Sequence, residues 1–277
     1  MPNGGPRANH DVVVSRVVAT ARGEIGLVTS TGRLIKLTVL DLPTVPATAN
    51  APNLQGGTHL SELVTLERDE RPLCLTTLAP DSLGLALGTA QGVVKRVNPE
   101  VLGKDSWEVI RLDPGDVVVG AVELTSTEHE LVFITNDAQL LHFPASGVRP
   151  QGRTGGGMAG IKLSIGARVV WFGATPAGGS VVVSVSGSSK ALPGTDAGSV
   201  KVTVFEEYPG KGRATGGVRC QRFLKGEDTL LLGWVGPAPA LAAAASGSPV
   251  ELPALDPRRD GSGTPAVQPI AAVGSYT

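Results

Sequence analysis

A short loop rich in glycine and arginine occurs twice in the chain, at positions 60 residues apart. The copies are Gln151–Met158 (QGRTGGGM) and Lys211–Val218 (KGRATGGV). Glycine lets a backbone approach a bound group closely and adopt φ > 0, and arginine presents a planar cationic fork that matches phosphate geometry. These residue types favour contact with phosphate groups. The fixed spacing indicates that the loops belong to a repeated structural unit.

The loops must be positioned by strands and tight turns. Glycine and proline supply 37 and 21 of the 277 residues, which favours turns over long helices. Valine, leucine and isoleucine fall in short alternating runs, as strands require. The tip residues of tight turns predict five hairpins. They are Glu24–Leu37 about Thr31-Gly32, Leu83–Val97 about Gln91-Gly92, Leu131–Phe143 about Asn136-Asp137, Ser180–Phe205 with a longer tip over Gly187–Ser199, and Ala240–Leu252 about Ser246-Gly247.

An apolar strand is predicted ahead of each hairpin, and a last one ends the series without a hairpin after it. Units of about 45–60 residues match the spacing of propeller blades. We therefore predict an all-β fold, a β-propeller of five or six four-stranded blades, in which the last strand pairs with the first and closes the ring. A β-sandwich with long loops is the alternative. The strands are Val12–Thr20, Leu73–Leu78, Val117–Leu124, Arg168–Gly173, Thr229–Val235 and Val267–Val273.

Three boundaries follow from these units. Residues 1–11 are predicted to be a flexible leader, 12–273 a single propeller, and 274–277 a tail. Ala240–Ala245 has high helix propensity, but the spacing of the units favours a strand there.

Charge is distributed unevenly along the chain. The net charge is −1 overall, whereas Arg149 to Lys225 holds eleven basic and three acidic residues, a net +8 that leaves −9 for the rest. Such asymmetry predicts a cationic face on an acidic body, as nucleic-acid binding requires. The alternative is that these charges scatter over a solvated surface.

The sequence lacks the motifs typical of several other classes of protein. No apolar stretch reaches the length of a membrane span, and the given residues lead us to expect no secretory signal. Gly210-Lys211 is followed by glycine, so the phosphate-binding loop of nucleotide hydrolases is incomplete. The four histidines and two cysteines show no metal-ligand spacing. Cys74 and Cys220 are predicted to be buried thiols, with a disulfide left open. We expect a cytoplasmic protein with no cofactor, metal or catalytic residue.

The repeated loops and the hairpins before them resemble the C-terminal domain of the A subunit of bacterial type IIA topoisomerases, DNA gyrase and topoisomerase IV. The stretches that carry the resemblance are Val200–Val218, Arg149–Leu163 and Glu24–Leu37, and it extends over roughly residues 12–273. It implies strand exchange between neighbouring blades and a basic rim around which duplex DNA bends. It also implies a nucleoid-associated location and the remainder of the A subunit and the ATPase B subunit as partners. Magnesium and ATP are implied for the full enzyme alone.

The resemblance departs from gyrase at one loop. Gyrase domains typically carry a glutamine-, arginine- and glycine-rich box, whereas the corresponding loop here keeps Gln55, Gly56 and Gly57 without a cation. This difference favours a topoisomerase IV-like domain and leaves gyrase as the alternative. The isolated domain is predicted to be monomeric and to lack strand cleavage, because neither Tyr208 nor Tyr276 stands in the context of a catalytic tyrosine.

Duplex DNA is thus the expected ligand, bound without sequence preference through phosphate contacts. A propeller that scaffolds protein partners is the alternative of another class. The candidate DNA-binding residues are Lys95, Arg96, Arg149, Arg153, Lys162, Lys211, Arg213, Arg219, Arg222, Arg258 and Arg259.

Overall fold

The computed structural model describes residues 6–46 and 56–275, and these residues form twenty short β-strands with four 3-10 turns. The 3-10 turns are Val39–Asp41, Leu60–Glu62, Ala145–Gly147 and Phe205–Glu207. The strands are β1 (Glu24–Thr29), β2 (Arg33–Thr38), β3 (Pro72–Thr77), β4 (Leu85–Thr89), β5 (Val93–Val97), β6 (Ser106–Glu108), β7 (Val118–Glu123), β8 (Glu130–Thr135), β9 (Gln139–Pro144), β10 (Pro150–Gln151), β11 (Met158–Ala159), β12 (Val169–Thr175), β13 (Ser180–Gly187), β14 (Ser199–Val204), β15 (Val218–Arg219), β16 (Thr229–Pro237), β17 (Leu241–Ala243), β18 (Pro249–Val250), β19 (Thr264–Pro265) and β20 (Ala272–Gly274).

The strands form five sheets arranged in a ring, a five-bladed β-propeller. Each blade is built on one of the predicted hairpins, β1–β2, β4–β5, β8–β9, β13–β14 and β17–β18. The inner strands β3, β7, β12, β16 and β20 contact one another in that order. The fold class is confirmed, with five blades, and the alanine-rich segment contains a strand (β17) rather than a helix.

Strand exchange between blades is present along the ring. The outer strand of each of the first four blades comes from the chain that follows the next hairpin: β6 pairs with β2, β11 with β5, β15 with β9, and β19 with β14. We call these outer strands the exchanged strands. They are β6, β15, β19, and β11 together with the neighbouring β10, which also pairs with β5. Because the outer edge of one blade belongs to the chain of the next, neighbouring blades are linked covalently and by backbone hydrogen bonds.

The partners of the inner strands differ from the prediction. Each apolar strand pairs back onto the hairpin before it in sequence, as Leu75 on β3 pairs with Leu27 on β1. The predicted first strand, Val12–Thr20, contains a single bridge, Val13 with Ser275, instead of a strand. Apolar alternation identifies a strand but not its partner, since all inner strands present similar side chains.

The ring closes between the two ends of the described chain. The fifth blade has three strands, β18-β17-β20, and the Val13–Ser275 bridge adds the N-terminal segment to it. Arg7 donates to the carbonyl oxygens of Val250 and Ala242 and forms an ion pair with Asp11. Residues 7–11 therefore pack against the fifth blade, whereas the sequence predicts a flexible leader there.

Apolar side chains fill the spaces within and between the blades. One cluster joins blades 2 and 3 through Val94, Phe133 and Phe172, and another joins blades 1 and 2 through Leu34, Leu87 and Trp107. Cys74 and Cys220 are both free thiols in the interior, as predicted. No helix in the described part of the chain has the length and apolar character to span a membrane.

Candidate nucleic-acid interface

The first glycine–arginine loop lies at the outer edge of blade 2, between β10 and β11. Gly157 has φ +80°, and a Cβ atom there would lie 2.7 Å from the carbonyl oxygen of Val94. The side chain of Gln151 accepts a hydrogen bond of 2.9 Å from the Gly157 amide. Only glycine fits this turn without strain, so the glycine serves the geometry that returns the chain to β5.

The second loop repeats this geometry at the edge of blade 3. Gly217 has φ +76°, and its Cβ atom would meet the carbonyl oxygen of Leu140 at 2.4 Å. Val218 pairs with Leu140 as Met158 pairs with Val94. A third loop occupies the same place in blade 4, ahead of β19. We call residues 151–158, 211–218 and 256–264 rim loops 2, 3 and 4.

Each rim loop is bonded to the backbone of a cationic residue from the preceding exchanged segment. The amide of Arg111 donates to Gly155 at 3.1 Å, that of Lys162 to Thr215 at 2.9 Å, and that of Arg222 to Gly261 at 3.1 Å. The same backbone contact thus recurs at three consecutive blades. It brings Arg111 to rim loop 2, Lys162 to rim loop 3 and Arg222 to rim loop 4.

Three cationic stations result, each pairing a rim loop with a neighbouring basic residue. Station 2 contains Arg111 and Arg153, station 3 contains Lys162, Lys211 and Arg213, and station 4 contains Arg222, Arg258 and Arg259. Apart from Arg153 and Arg259, which are half-buried, these residues are exposed. Arg111 is absent from the sequence-based candidates because it lies outside the repeated loops. Arg111 can be recognised from its position relative to the exchanged strand, because it follows β6 at the same distance as Arg222 follows β15.

The stations differ in how their charges are compensated. The Nε atom of Arg153 lies 3.6 Å from Oε1 of Glu100. Arg258 forms a 2.9 Å ion pair with Asp256, and the hydrogen bond from Arg258 lowers the pKa of Asp256 to about 2. Within residues 6–46 and 56–275, the cations of station 3 form no ion pair with an acid.

At station 3 the basic side chains bond to the backbone. Arg213 Nη1 donates to the Ala159 carbonyl at 2.7 Å, and Lys211 Nζ donates to Gly217 at 3.2 Å. A surface cleft of about 430 Å³ lies beside them and is also lined by Glu130 and His142, which bond to each other at 2.8 Å. Carbonyl groups hold these cations in place without neutralising them, so station 3 keeps its positive charge.

The remaining exposed candidates flank the stations. Arg149 precedes β10 at the edge of blade 2, and Arg219 lies on β15 at the edge of blade 3. Gly56 and Gly57 of the degenerate box are exposed in the segment between β2 and β3, and Gln55 lies outside the described residues.

Lys95 and Arg96 do not extend the cationic surface. Lys95 on β5 is fully buried, with 0% exposure, and its Nζ atom donates to three carbonyl oxygens. The Nη1 atom of Arg96 donates to the carbonyls of Ala145 and Val148 in the neighbouring blade. The assignment of both residues to the DNA-binding surface is wrong, because backbone acceptors draw their long side chains into the interior.

The described ranges contain no group of three histidine, cysteine or carboxylate side chains placed to hold a metal ion. Burial raises the pKa of Tyr208, and its hydroxyl lies within the interior near Lys201. Tyr276 falls outside the described residues.

Comparison with known proteins decides the family. The model of the DNA gyrase C-terminal domain, a β-propeller, matches residues 129–176 and 194–231. The A subunit of DNA gyrase from Escherichia coli is 32% identical over 219 residues, which cover 75% of this chain and 22% of that protein. This chain belongs to the family of C-terminal β-propeller domains of type IIA topoisomerase A subunits. The corresponding gyrase protein of Mycobacterium tuberculosis is 28% identical over 217 residues, 75% of this chain and 24% of its own length.

Solved structures of this propeller family share the fold. The C-terminal domain of DNA topoisomerase IV superposes with a TM-score of 0.73 at 19% identity, over 91% of this chain and 79% of that one. The DNA gyrase A C-terminal domain gives 0.64 at 16% identity, over 94% of this chain and 84% of that one. The chain spans less than a quarter of the gyrase proteins compared above, and it corresponds to their accessory domain rather than to the catalytic tyrosine domain.

Proposed function

We propose that this propeller binds duplex DNA along the outer edges of blades 2, 3 and 4 and bends it without reading its sequence. The observation that carries the proposal is the repetition of one cationic station at three consecutive blades. A regular series of cations on a curved edge suits a regular series of phosphates. A single basic patch would hold DNA but would not impose a path on it.

Phosphate chemistry explains the residue types. Arginine and lysine neutralise phosphates and release condensed counterions, which supplies affinity that falls steeply with salt. Such contacts position the duplex and carry no sequence information. Bending a duplex site of about 20–30 base pairs costs on the order of 1–6 kcal/mol. Several stations must therefore act together.

We place this domain in the A subunit of a type II topoisomerase, with the rest of that protein and an ATPase B subunit as partners. The enzyme would act in the cytoplasm at the nucleoid, with magnesium and ATP used outside this domain. A topoisomerase IV-like enzyme agrees with the cation-free Gly56-Gly57 loop; gyrase is the alternative and agrees with the sequence relatives. Ligation of nicked plasmid in the presence of the domain separates them, since constrained writhe of one sign indicates gyrase-like wrapping.

Removal of one arginine from each repeated loop tests the DNA proposal. We expect Arg153→Ala with Arg213→Ala to weaken binding to any duplex and to lower the salt slope of the affinity by roughly 1 per lost phosphate contact. Fluorescence polarisation at several salt concentrations measures both quantities. The matched control is Arg68→Ala with Arg71→Ala, two exposed arginines of blade 1. An unchanged slope in the rim variant would contradict the proposed path.

A scaffold for protein partners is the second candidate. It is favoured by the long tip of the fourth hairpin, Gly187–Ser199, which is held by hydrogen bonds to the rest of the domain. Ser189 at this tip donates to Asp228 through its amide at 2.7 Å and through its hydroxyl at 2.6 Å, and Leu192 projects into solvent. Competition distinguishes the candidates: unrelated duplex DNA should displace a DNA ligand at physiological salt but leave a protein partner of the scaffold bound.

A further inference from the structure

Two buried lysines occupy the same position in two different blades. Lys95 follows Val94, the β5 residue paired with Met158, and Lys201 follows Val200, the β14 residue paired with Thr264. Their exposures are 0% and 2%. Lysine is rarely buried to this extent unless its ammonium group has partners. A buried lysine at the same position of two blades therefore indicates a shared structural role.

Both ammonium groups are surrounded by oxygen atoms of two successive chain segments. Lys95 Nζ donates to the carbonyls of Val109 at 2.8 Å, Arg153 at 2.9 Å and Gly155 at 2.7 Å. Val109 follows exchanged strand β6, and the other two acceptors lie in rim loop 2. One side chain therefore ties a rim loop to the outer strand of the preceding blade.

Lys201 makes the equivalent contacts in blade 4. Its Nζ donates to the carbonyls of Cys220 at 3.0 Å and Arg259 at 2.8 Å, and lies 3.3 Å from the Tyr208 hydroxyl. Cys220 follows β15 as Val109 follows β6. In both blades the lysine bonds to the backbone of an arginine in the rim loop, Arg153 or Arg259.

Blade 3 shows that the fold does not require this ammonium group. Leu141 follows Leu140, the β9 residue paired with Val218, and so occupies the corresponding position. It is buried in an apolar cluster. Burying a charge is costly compared with burying a leucine. Burial lowers the pKa of Lys95 and Lys201 to about 8, so both remain charged at pH 7.

We propose that Lys95 and Lys201 are positioning residues, which fix the backbone of rim loops 2 and 4 so that Arg153 and Arg259 meet DNA phosphates. The inference rests on the proposed DNA binding. In blade 3 the arginine anchors its own loop, because Arg213 donates to Ala159 and the Ala214 amide donates to Gly160 at 2.6 Å. Two means of holding the same loop thus alternate along the rim. The bond from Arg213 is exposed to water, so it holds rim loop 3 less firmly than the buried ammonium group holds rim loop 2.

A double-mutant cycle tests whether Lys95 acts through Arg153. Lys95→Met keeps the length of the side chain and removes the ammonium group. Near 0.1 M salt we expect Lys95→Met to weaken duplex binding roughly 10-fold, the effect of one lost phosphate contact. If Lys95 acts through Arg153, adding Lys95→Met to Arg153→Ala should weaken binding by less than about 2-fold more, because the two residues are then strongly coupled. Leu141→Met, at the corresponding buried position of blade 3, should leave affinity unchanged.

Additive losses from Lys95→Met and Arg153→Ala would overturn the positioning role while leaving DNA binding in place. A domain that binds no duplex would overturn the proposed function instead.

A measurement on the unmodified domain tests the same role of Lys95 even if the Lys95→Met variant fails to fold. The Arg111 amide bonds to a loop fixed by lysine, and the Lys162 amide makes the same bond to a loop without one. Hydrogen exchange, corrected for intrinsic rates, should be at least about 10-fold slower for Arg111. Equal protection of the two amides would contradict the fixing of rim loop 2 by Lys95, whatever the domain binds.

Discussion

Blades 1 and 3 are each built on a hairpin of the same kind, but they use their charged side chains in opposite ways. In blade 1 the carboxylate of Glu70 is buried, accepts hydrogen bonds from Thr29 and Thr31, and forms a 2.7 Å ion pair with Arg33. In blade 3 the cations Lys162, Lys211 and Arg213 are exposed and form no ion pair with an acid of the described chain. The same fold uses charge for internal order in one blade and leaves it exposed and uncompensated in another.

The comparison shows why a count of basic residues does not locate a binding surface. Arg33 and Lys162 both follow a glycine turn or loop, yet Arg33 also donates to the second oxygen of Glu70 at 2.8 Å. A guanidinium held by both oxygens of a buried carboxylate, as Arg33 is, gains little from a phosphate. Arg153 differs, because its partner Glu100 is exposed and lies 3.6 Å away. Partners within the protein, rather than sequence position, decide which cations remain uncompensated.

The largest effect we expect is on the stability of blade 1. Glu70→Ala removes an acceptor used by two hydroxyl groups, the Arg33 guanidinium and the Glu67 amide. Loss of one partner of a buried ion pair leaves the others unsatisfied, so we expect a loss of about 3 kcal/mol in the free energy of unfolding. Urea denaturation measures it. Glu62→Ala, an exposed acid of the same blade, should change little, and both variants should bind DNA like the parent once folded.

Acid should weaken the same site. The hydrogen bond from Arg33 is the main cause that lowers the pKa of Glu70 from 4.5 to about 2. Because the folded-state pKa is below the unfolded one, Glu70 stabilises the fold fully above pH 4.5, and this contribution of up to about 3 kcal/mol is lost as pH falls from 4.5 towards 2. Unfolding free energies of the parent and Glu70→Ala should converge over this range. A constant difference between them would refute the assignment.

Charge reversal in blade 3 should have the opposite profile. Lys162→Glu with Lys211→Glu removes two cations and introduces repulsion, so duplex affinity near 0.1 M salt should fall on the order of 100-fold. Both residues are exposed, and stability should change by less than about 0.5 kcal/mol each. Arg68→Glu with Arg71→Glu makes the same change of net charge on blade 1. If this control weakened binding equally, the difference between the two blades would not concern DNA.

The sequence predicts the hairpins better than their assembly. Turn pairs such as Thr31-Gly32 and Gln91-Gly92 set local backbone geometry, and each predicted hairpin is present. The pairing of β3 with β1 depends on which strands meet across the ring, which alternation does not encode. Lys95 lies in the run Val-Val-Lys-Arg-Val, where a buried ammonium and an exposed one look alike. Its acceptors come from residues 14 to 60 positions away.

The candidate site was partly predictable for a similar reason. Arg153 and Arg213 follow from an internal repeat, whereas Arg111 joins the site only through exchanged strand β6. Its register becomes visible once the strands are paired. Residues recruited by exchange lie far in sequence from the loops they support, so no local motif contains them.

Strand exchange also has a consequence for how such a ring can change its size. A blade is not a contiguous stretch of sequence, because β6 of blade 1 is encoded after the hairpin of blade 2. Deleting the codons of one hairpin together with the exchanged strand after it would remove the centre of one blade and the outer edge of its neighbour. A gene can therefore gain or lose a blade cleanly only by duplicating or excising a segment that is out of phase with the visible sheets.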